Sequence, residues 1–227
     1  SLREVAANFT RLGRRLSDEA VRGRLCDCEA WLRAMLQEML PVPKKEISEG
    51  ISRLILIDGT TIQAPGASTS DYRLHLGWNW IDQRVVHSRV TDNRTAESLK
   101  LFDWQPGDMV IADAAYATAQ QLTAAKEKGA QYIVRCAAAN IRLFSKDGER
   151  IHVATELGRH KGKPVVSIEV RIKADTMIHT AWLHAFRLPE EAAEQVRRRL
   201  HKRSVRKGSK TKAETMCLAE WVLLLTS

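Results

Sequence analysis

Two aspartates, Asp58 and Asp113, each follow a short apolar run in this chain of 227 residues. Phosphodiester hydrolysis and strand transfer need an activated nucleophilic oxygen and a stabilised leaving oxygen, and two divalent metal ions about 3.5–4 Å apart can supply both. Mg²⁺ prefers hard oxygen ligands and keeps several waters, so a few carboxylates suffice to hold it. We therefore expect Asp58 and Asp113 to bind Mg²⁺ (or Mn²⁺) as catalytic residues. An Asp after a strand is also a common turn or capping residue, which leaves a structural interpretation open.

Two buried strands must position these aspartates. Leu54–Ile57 and Met109–Ala112 are continuous apolar runs, which are typical of strands covered on both faces of a sheet. The two aspartates are 55 residues apart, which leaves room for several elements between their strands. Those elements are predicted to be an antiparallel strand pair and a short helix: Arg73–Trp80, Arg84–Thr91 and Thr95–Phe102.

An amphipathic helix over Ala117–Lys128 follows Asp113, and Gly129 suits its C-terminal cap. A third buried strand is predicted over Gln131–Arg135. The order β, β, β, α, β, α, β predicts an α/β fold of the RNase H-like type, in which helices flank a mixed sheet. We place this catalytic core at residues 51–137.

Two further segments flank the core. Residues 1–50 are predicted to be an N-terminal helical segment, in which Ser17 caps a second helix and Pro41 and Pro43 end the helical pattern. Residues 138–227 are predicted to be a β-rich insertion with a basic helix from Pro189 to near Gly208. Its predicted strands are Ile141–Phe144, Ile151–Val153, Pro164–Lys173, His179–Arg187 and Glu220–Leu225, and Lys146-Asp147-Gly148 is a hairpin turn signal.

Positive charge is concentrated in one stretch of the chain. Between Arg197 and Lys212 there are nine cations and no acid, whereas the rest of the chain balances 27 cations against 27 acids. Such a patch favours a polyanionic partner, most commonly nucleic acid, although a solvated helix face is the alternative. The predicted DNA contacts in the patch are Arg198, Arg199, Lys202, Arg203, Arg206 and Lys207. Nearer the aspartates they are Arg73, Arg94 and Arg135, for which ion pairing is the alternative.

The apolar runs Leu54–Ile57 and Trp221–Leu225 are far too short to cross a bilayer, so no membrane association is expected. The four cysteines form neither a metal-binding spacing nor an evident disulfide framework. We therefore expect reduced thiols and a cytoplasmic location.

Several blocks of the sequence resemble transposases of the insertion-sequence-four family, which use a DDE set of acidic residues. The residues around Asp58, from Ile55 to Ile62, resemble the first acidic motif, and Pro106–Ala117 resembles the second. Val90–Leu99 is similar to the block between them, in which Glu97 either supports the acidic pair or lies on a helix surface. The resemblance implies cut-and-paste transposition by metal-dependent hydrolysis and strand transfer on double-stranded DNA. It also implies a dimeric complex with two DNA ends.

The chain departs from the family pattern at two places. Ala114-Ala115 stands where the family has Arg-Gly or Arg-Glu, and the family's third acid lies on a helix that would follow Trp221–Thr226. Glu214 and Glu220 are the nearest acids and do not fit that pattern. We therefore expect an incomplete site and little transposition by this chain. A non-catalytic nucleic-acid-binding remnant and a stand-alone RNase H-like nuclease are the alternatives.

Overall fold

A computed structural model describes residues 2–13, 15–28, 31, 34–35, 50–63, 66, 69–160, 162–206 and 208–227. The chain forms two compact units, Ser1–Lys45 and Glu46–Ser227. In the first unit, α1 spans Leu2–Arg11 and α2 spans Asp18–Asp27. The Ser17 hydroxyl accepts a hydrogen bond from the Ala20 amide at 3.1 Å, so the predicted helix cap is confirmed. Most of the predicted helical pattern after residue 28 lies outside the described residues.

In the described residues of the second unit, ten strands form one mixed sheet. In chain order the strands are β1 Arg53–Ile62, β2 Tyr72–Asn79, β3 Arg84–Asp92, β4 Asp108–Ala112, β5 Gln131–Arg135, β6 Leu143–Phe144, β7 Arg150–Ile151, β8 Val165–Ala174, β9 Met177–Arg187 and β10 Trp221–Thr226. The helices are α3 Ala119–Glu127, α4 Val153–Gly158, α5 Glu190–Arg206 and α6 Ala213–Leu218, with a 3-10 helix at Leu99–Leu101.

The strand order across the sheet is β3-β2-β1-β4-β5-β10-β9-β8-β6-β7. Strands β1, β4 and β5 are parallel neighbours, and the remaining pairs are antiparallel. The mixed sheet with its helices confirms the predicted α/β, RNase H-like class. The predicted boundary at 138 lies between β5 and β6, which belong to this same sheet, and it stays a prediction as a domain division.

The core lies along the sheet where apolar side chains from the central strands are fully buried. Ile55, Val110, Tyr132 and Leu225 come from four adjacent strands and have no exposed surface. Leu122 of α3 is also fully buried in the same cluster. Burial of this kind stabilises a fold at about 25 cal/mol per Å² of apolar surface, so these side chains help to hold the central strands together.

An ion pair fixes the alignment of the two strands that carry the aspartates. Arg53 and Asp108 are register partners at the beginnings of β1 and β4. The Arg53 Nε and Nη2 atoms donate to Asp108 Oδ1 and Oδ2 at 2.6 and 2.7 Å. Because such a two-pronged contact has a defined geometry, it specifies the parallel register as well as contributing energy.

Three local predictions are wrong. The segment Thr95–Phe102 is helical only in the 3-10 turn Leu99–Leu101, because Ser98 caps that turn by accepting from the Lys100 amide. Strand β6 is limited to two residues, Leu143–Phe144. The predicted strand Ile151–Val153 ends at Ile151, and Val153 begins helix α4, which together with α6 had no clear signal in the sequence.

Two turn predictions are confirmed. At Gly148 the backbone φ is +86°, and Ser145 donates its amide to the Glu149 carbonyl at 2.8 Å, which closes the Asp-Gly hairpin. Gly129 has a φ of +80° and donates its amide to the Lys126 carbonyl, as expected after the end of α3.

Candidate metal site of two aspartates

The register of β1 and β4 brings Asp58 and Asp113 level with each other. Leu56 and Ile111 are the last paired residues of the two parallel strands. Asp58 lies two positions beyond Leu56, and Asp113 lies two positions beyond Ile111. Adjacent strands lie about 4.8 Å apart, so carboxylates at this position can reach a shared ion. The sequence prediction that Asp58 ends its strand is wrong, because β1 continues to Ile62 by pairing with β2 alone.

Both carboxylates are exposed and are oriented by short-range backbone contacts. Asp58 Oδ1 accepts from the Gly59 amide at 2.8 Å, and Asp113 Oδ1 accepts from the Ala115 amide at 2.8 Å. No described residue donates a recorded hydrogen bond to the Oδ2 atom of either aspartate. Each side chain is a carboxylate at a fixed position that uses only one of its oxygens in these contacts. Two such hard oxygen donors suit Mg²⁺ or Mn²⁺.

Within the described part of the chain, no three His, Cys, Asp or Glu side chains lie close enough together to hold a metal ion. The donor set at this site therefore consists of two carboxylates, and the remaining positions of a six-coordinate ion would be filled by water. This chemistry fits a weakly held hard cation.

Glu97 lies beside this pair, in the loop between β3 and the 3-10 helix. Its backbone carbonyl accepts from Gln121 Nε2 at 3.4 Å, and Gln121 Oε1 accepts from the Leu99 amide at 3.0 Å. Partial burial raises the pKa of Glu97, and the carboxylates of Asp113 and Asp58 raise it further, whereas Arg73 opposes the shift. Gln121 of helix α3 thus holds the loop of Glu97 in place, and the Glu97 carboxylate interacts electrostatically with both aspartates.

A turn closed by the Asp92 side chain begins the loop that carries Glu97. Asp92 Oδ1 accepts from both the amide and the hydroxyl of Thr95, at 2.8 and 2.6 Å. The hydrogen bond from the Thr95 hydroxyl is the main reason why the pKa of Asp92 is lowered. Arg73 Nη1 donates to the Thr95 carbonyl at 3.1 Å, which ties the loop to β2.

Tyr116, which was not among the predicted site residues, is fully buried in the segment just after Asp113. Burial raises the pKa of its phenol, and the carboxylates of Glu97, Asp58 and Asp113 add to that shift. Its hydroxyl has no hydrogen-bond partner in the described structure. The residue stands in the second acidic motif, but an aromatic side chain there is equally typical of a core position.

The predicted DNA contacts fall into two groups. Of those near the acids, Arg73 is half-buried against the Thr95 carbonyl, whereas Arg94 and Arg135 are exposed. In the basic helix α5, Arg198 is ion-paired with Glu194 at 2.6 Å. The other described candidates in α5 are exposed and form no recorded ion pair: Arg199, Lys202, Arg203 and Arg206. Lys207 lies outside the described residues.

The Transposase DDE domain model matches residues 49–215, which contain both aspartates and most of the sheet. The chain belongs to the DDE transposase domain family. Enzymes with this domain generally depend on divalent metal ions, in agreement with the donor set found at Asp58 and Asp113. The motifs that suggested the insertion-sequence-four group lie within this match, but the match itself does not assign that group.

The chain is also similar to whole transposases of Escherichia coli. It is 32% identical over 237 aligned residues to the protein named InsL of insertion sequence element IS186A in strain K12, with 100% of this chain and 64% of that protein covered. It is 32% identical to the transposase of insertion sequence element IS421, with 100% of this chain and 63% of that protein covered. The chain therefore spans just under two thirds of the length of these relatives. No helix in the described ranges is long and apolar enough to cross a membrane.

Proposed function

We propose that this chain is the catalytic domain of a cut-and-paste DNA transposase, which hydrolyses and transfers phosphodiester bonds at transposon ends. The level placement of Asp58 and Asp113 on two adjacent parallel strands supports this proposal most strongly. Double-stranded DNA would be the substrate, and a dimer on two DNA ends and a cytoplasmic location belong to the same proposal.

Asp58 and Asp113 would hold Mg²⁺ or Mn²⁺. A bound divalent ion lowers the pKa of water and stabilises the charge that develops on the attacking and leaving oxygens. The task of the protein is to keep the carboxylates fixed in position and open to DNA. The backbone amides of Gly59 and Ala115 orient them, and their exposure leaves room for a phosphate.

The metal site is tested by titrating the purified chain with Mn²⁺ and following the free ion by electron paramagnetic resonance. We expect Asp58→Asn and Asp113→Asn each to weaken Mn²⁺ binding at least tenfold, because each removes one of two charged ligands. Asp147→Asn removes the same charge from an exposed hairpin turn and should leave binding unchanged. Equal Mn²⁺ affinity in the wild type and both site variants would refute the proposed function.

Helix α5 is the proposed surface for the DNA backbone. Its exposed cations lie in the second half of the helix, after an acidic first turn at Glu190 and Glu191. Each phosphate contact makes the slope of log affinity against log salt more negative by about 0.9. Replacing Arg199, Lys202, Arg203 and Arg206 together with Gln should therefore make that slope less negative by up to about 3.6.

The ion-paired Arg198 provides the matched control for this experiment. Its partner Glu194 already neutralises its charge, so Arg198→Gln should change the slope by much less than one. Fluorescence anisotropy of a labelled duplex at several salt concentrations gives both slopes. If the fourfold variant keeps the wild-type slope, α5 does not contact the DNA backbone.

A further inference from the structure

Glu97 lies against the backbone of β1 next to the first aspartate. An ideal Cβ atom at position 59 would lie only 2.8 Å from both Cγ and Oε1 of Glu97. Because glycine has no side chain, Gly59 allows the carboxylate to approach the strand this closely. Gly59 directly follows Asp58, so the third acid is adjacent to the site along β1.

Two buried polar atoms near Glu97 have no partner in the described structure. They are the Tyr116 hydroxyl and Arg73 Nε. Tyr116 has no exposed surface, and after burial itself the Glu97 carboxylate has the largest influence on its phenol. Buried polar groups in native proteins almost always have a partner, and an unpaired one commonly marks a bound water or ion. The hydroxyl therefore points to a small polar ligand between Tyr116 and the acids.

We propose that Glu97 is a third carboxylate of this site, which binds the metal ion at Asp58 and Asp113 through a water molecule shared with the Tyr116 hydroxyl. The inference rests on the proposed function, since it requires a metal ion at the two aspartates. In the proposed arrangement the water donates to the Glu97 carboxylate and accepts from the tyrosine. Glu97 is thus a positioning residue, and the two aspartates remain the direct ligands.

The geometry favours contact through water over direct ligation. Glu97 packs against Gly59, which follows the direct ligand Asp58 by one residue along β1. No three acids in the described ranges converge at metal-ligand distance. The loop around Glu97 is nevertheless well fixed, because Gln121 and Arg73 hold its backbone on two sides.

Mn²⁺ titration of four single variants tests this role. We expect Glu97→Gln to weaken Mn²⁺ binding about tenfold, as is typical when an outer partner of a metal site is removed. Glu97→Asp, which keeps the charge on a shorter side chain, should recover part of that loss. Tyr116→Phe should also weaken binding without lowering the unfolding midpoint, since its hydroxyl has no protein partner to lose. Glu127→Gln removes an exposed acid of α3 and serves as the charge control.

A second titration at high salt separates water-mediated binding from a general charge effect. A long-range charge effect shrinks as salt is added, whereas the Glu97→Gln loss should persist in 0.5 M salt, where the Debye length is only about 4–5 Å. If Glu97→Gln matches Glu127→Gln while Asp58→Asn still abolishes binding, the role of Glu97 is refuted and the proposed function stands. If Asp58→Asn binds Mn²⁺ normally, the proposed function itself fails.

Discussion

The ion pair between Arg53 and Asp108 allows a prediction whose size follows from burial. The Asp108 side chain is 1% exposed and the Arg53 side chain is 21% exposed. Asp108 also accepts from the Gln105 amide at 2.8 Å, so it uses both oxygens inside the protein. Removing the arginine leaves a buried carboxylate without its countercharge, whereas removing the carboxylate leaves an arginine that can reach water.

The two single substitutions, Arg53→Met and Asp108→Asn, should therefore lower the free energy of unfolding by different amounts. Arg53→Met should lower the free energy of unfolding by about 3–5 kcal/mol, the usual cost of breaking a buried pair from one side. Asp108→Asn should cost about 1–3 kcal/mol, because the amide keeps part of the hydrogen bonding. The double substitution Arg53→Met with Asp108→Leu should cost less than the sum, because no buried charge is left unpaired.

Urea unfolding followed by circular dichroism measures all three values. The control is Arg84→Met, which breaks the surface pair with Asp82, where the side chains are 63% and 45% exposed. Exposed pairs of this kind contribute at most about 1 kcal/mol. If Arg53→Met costs no more than Arg84→Met, the pair does not fix β1 and β4, and the explanation for the alignment of the aspartates is wrong.

Two further predictions concern a half-buried histidine, His179, and the glycine that contacts Glu97. Burial lowers the pKa of His179, whose ring contacts the Tyr132 hydroxyl at 2.9 Å, so the folded protein binds a proton there less readily than the unfolded chain does. The unfolded chain binds a proton below about pH 6.5, so stability should fall as pH drops through that value. His179→Gln should reduce this loss in urea titrations, whereas the exposed His201→Gln should not. Gly59→Ala should push the Glu97 side chain aside, weakening Mn²⁺ binding as Glu97→Gln does while the unfolding midpoint stays near the wild-type value.

The sequence was sufficient to predict the elements that carry the aspartates. Leu54–Ile57 and Met109–Ala112 are apolar runs without helical periodicity, and both form central strands. The position of Asp58 within β1 was missed because Gly59 and the threonines after it are typical of a turn. In the structure, pairing with β2 provides hydrogen-bond partners for that stretch and keeps it extended to Ile62.

Long-range contacts decided the features that the sequence could not predict. A short helix was predicted over Thr95–Phe102, but the Trp104 indole donates to the Leu99 carbonyl at 2.7 Å, which takes up an acceptor that a continuing helix would use. The pairing of β10 with β5 joins Leu224 to Arg135 across almost ninety residues, and no local pattern reveals such a partner. For Glu97 the sequence left two roles open, and its contact with Gly59 favours the role at the site.

Anomalous diffraction from crystals soaked in Mn²⁺ tests the central claim most directly. We expect a peak within about 2.5 Å of the carboxylate oxygens of both Asp58 and Asp113. The same soak with Asp113→Asn crystals should give a much weaker peak at that position. A strong Mn²⁺ peak elsewhere, with none between the two aspartates, would contradict the assignment of this pair as the metal site.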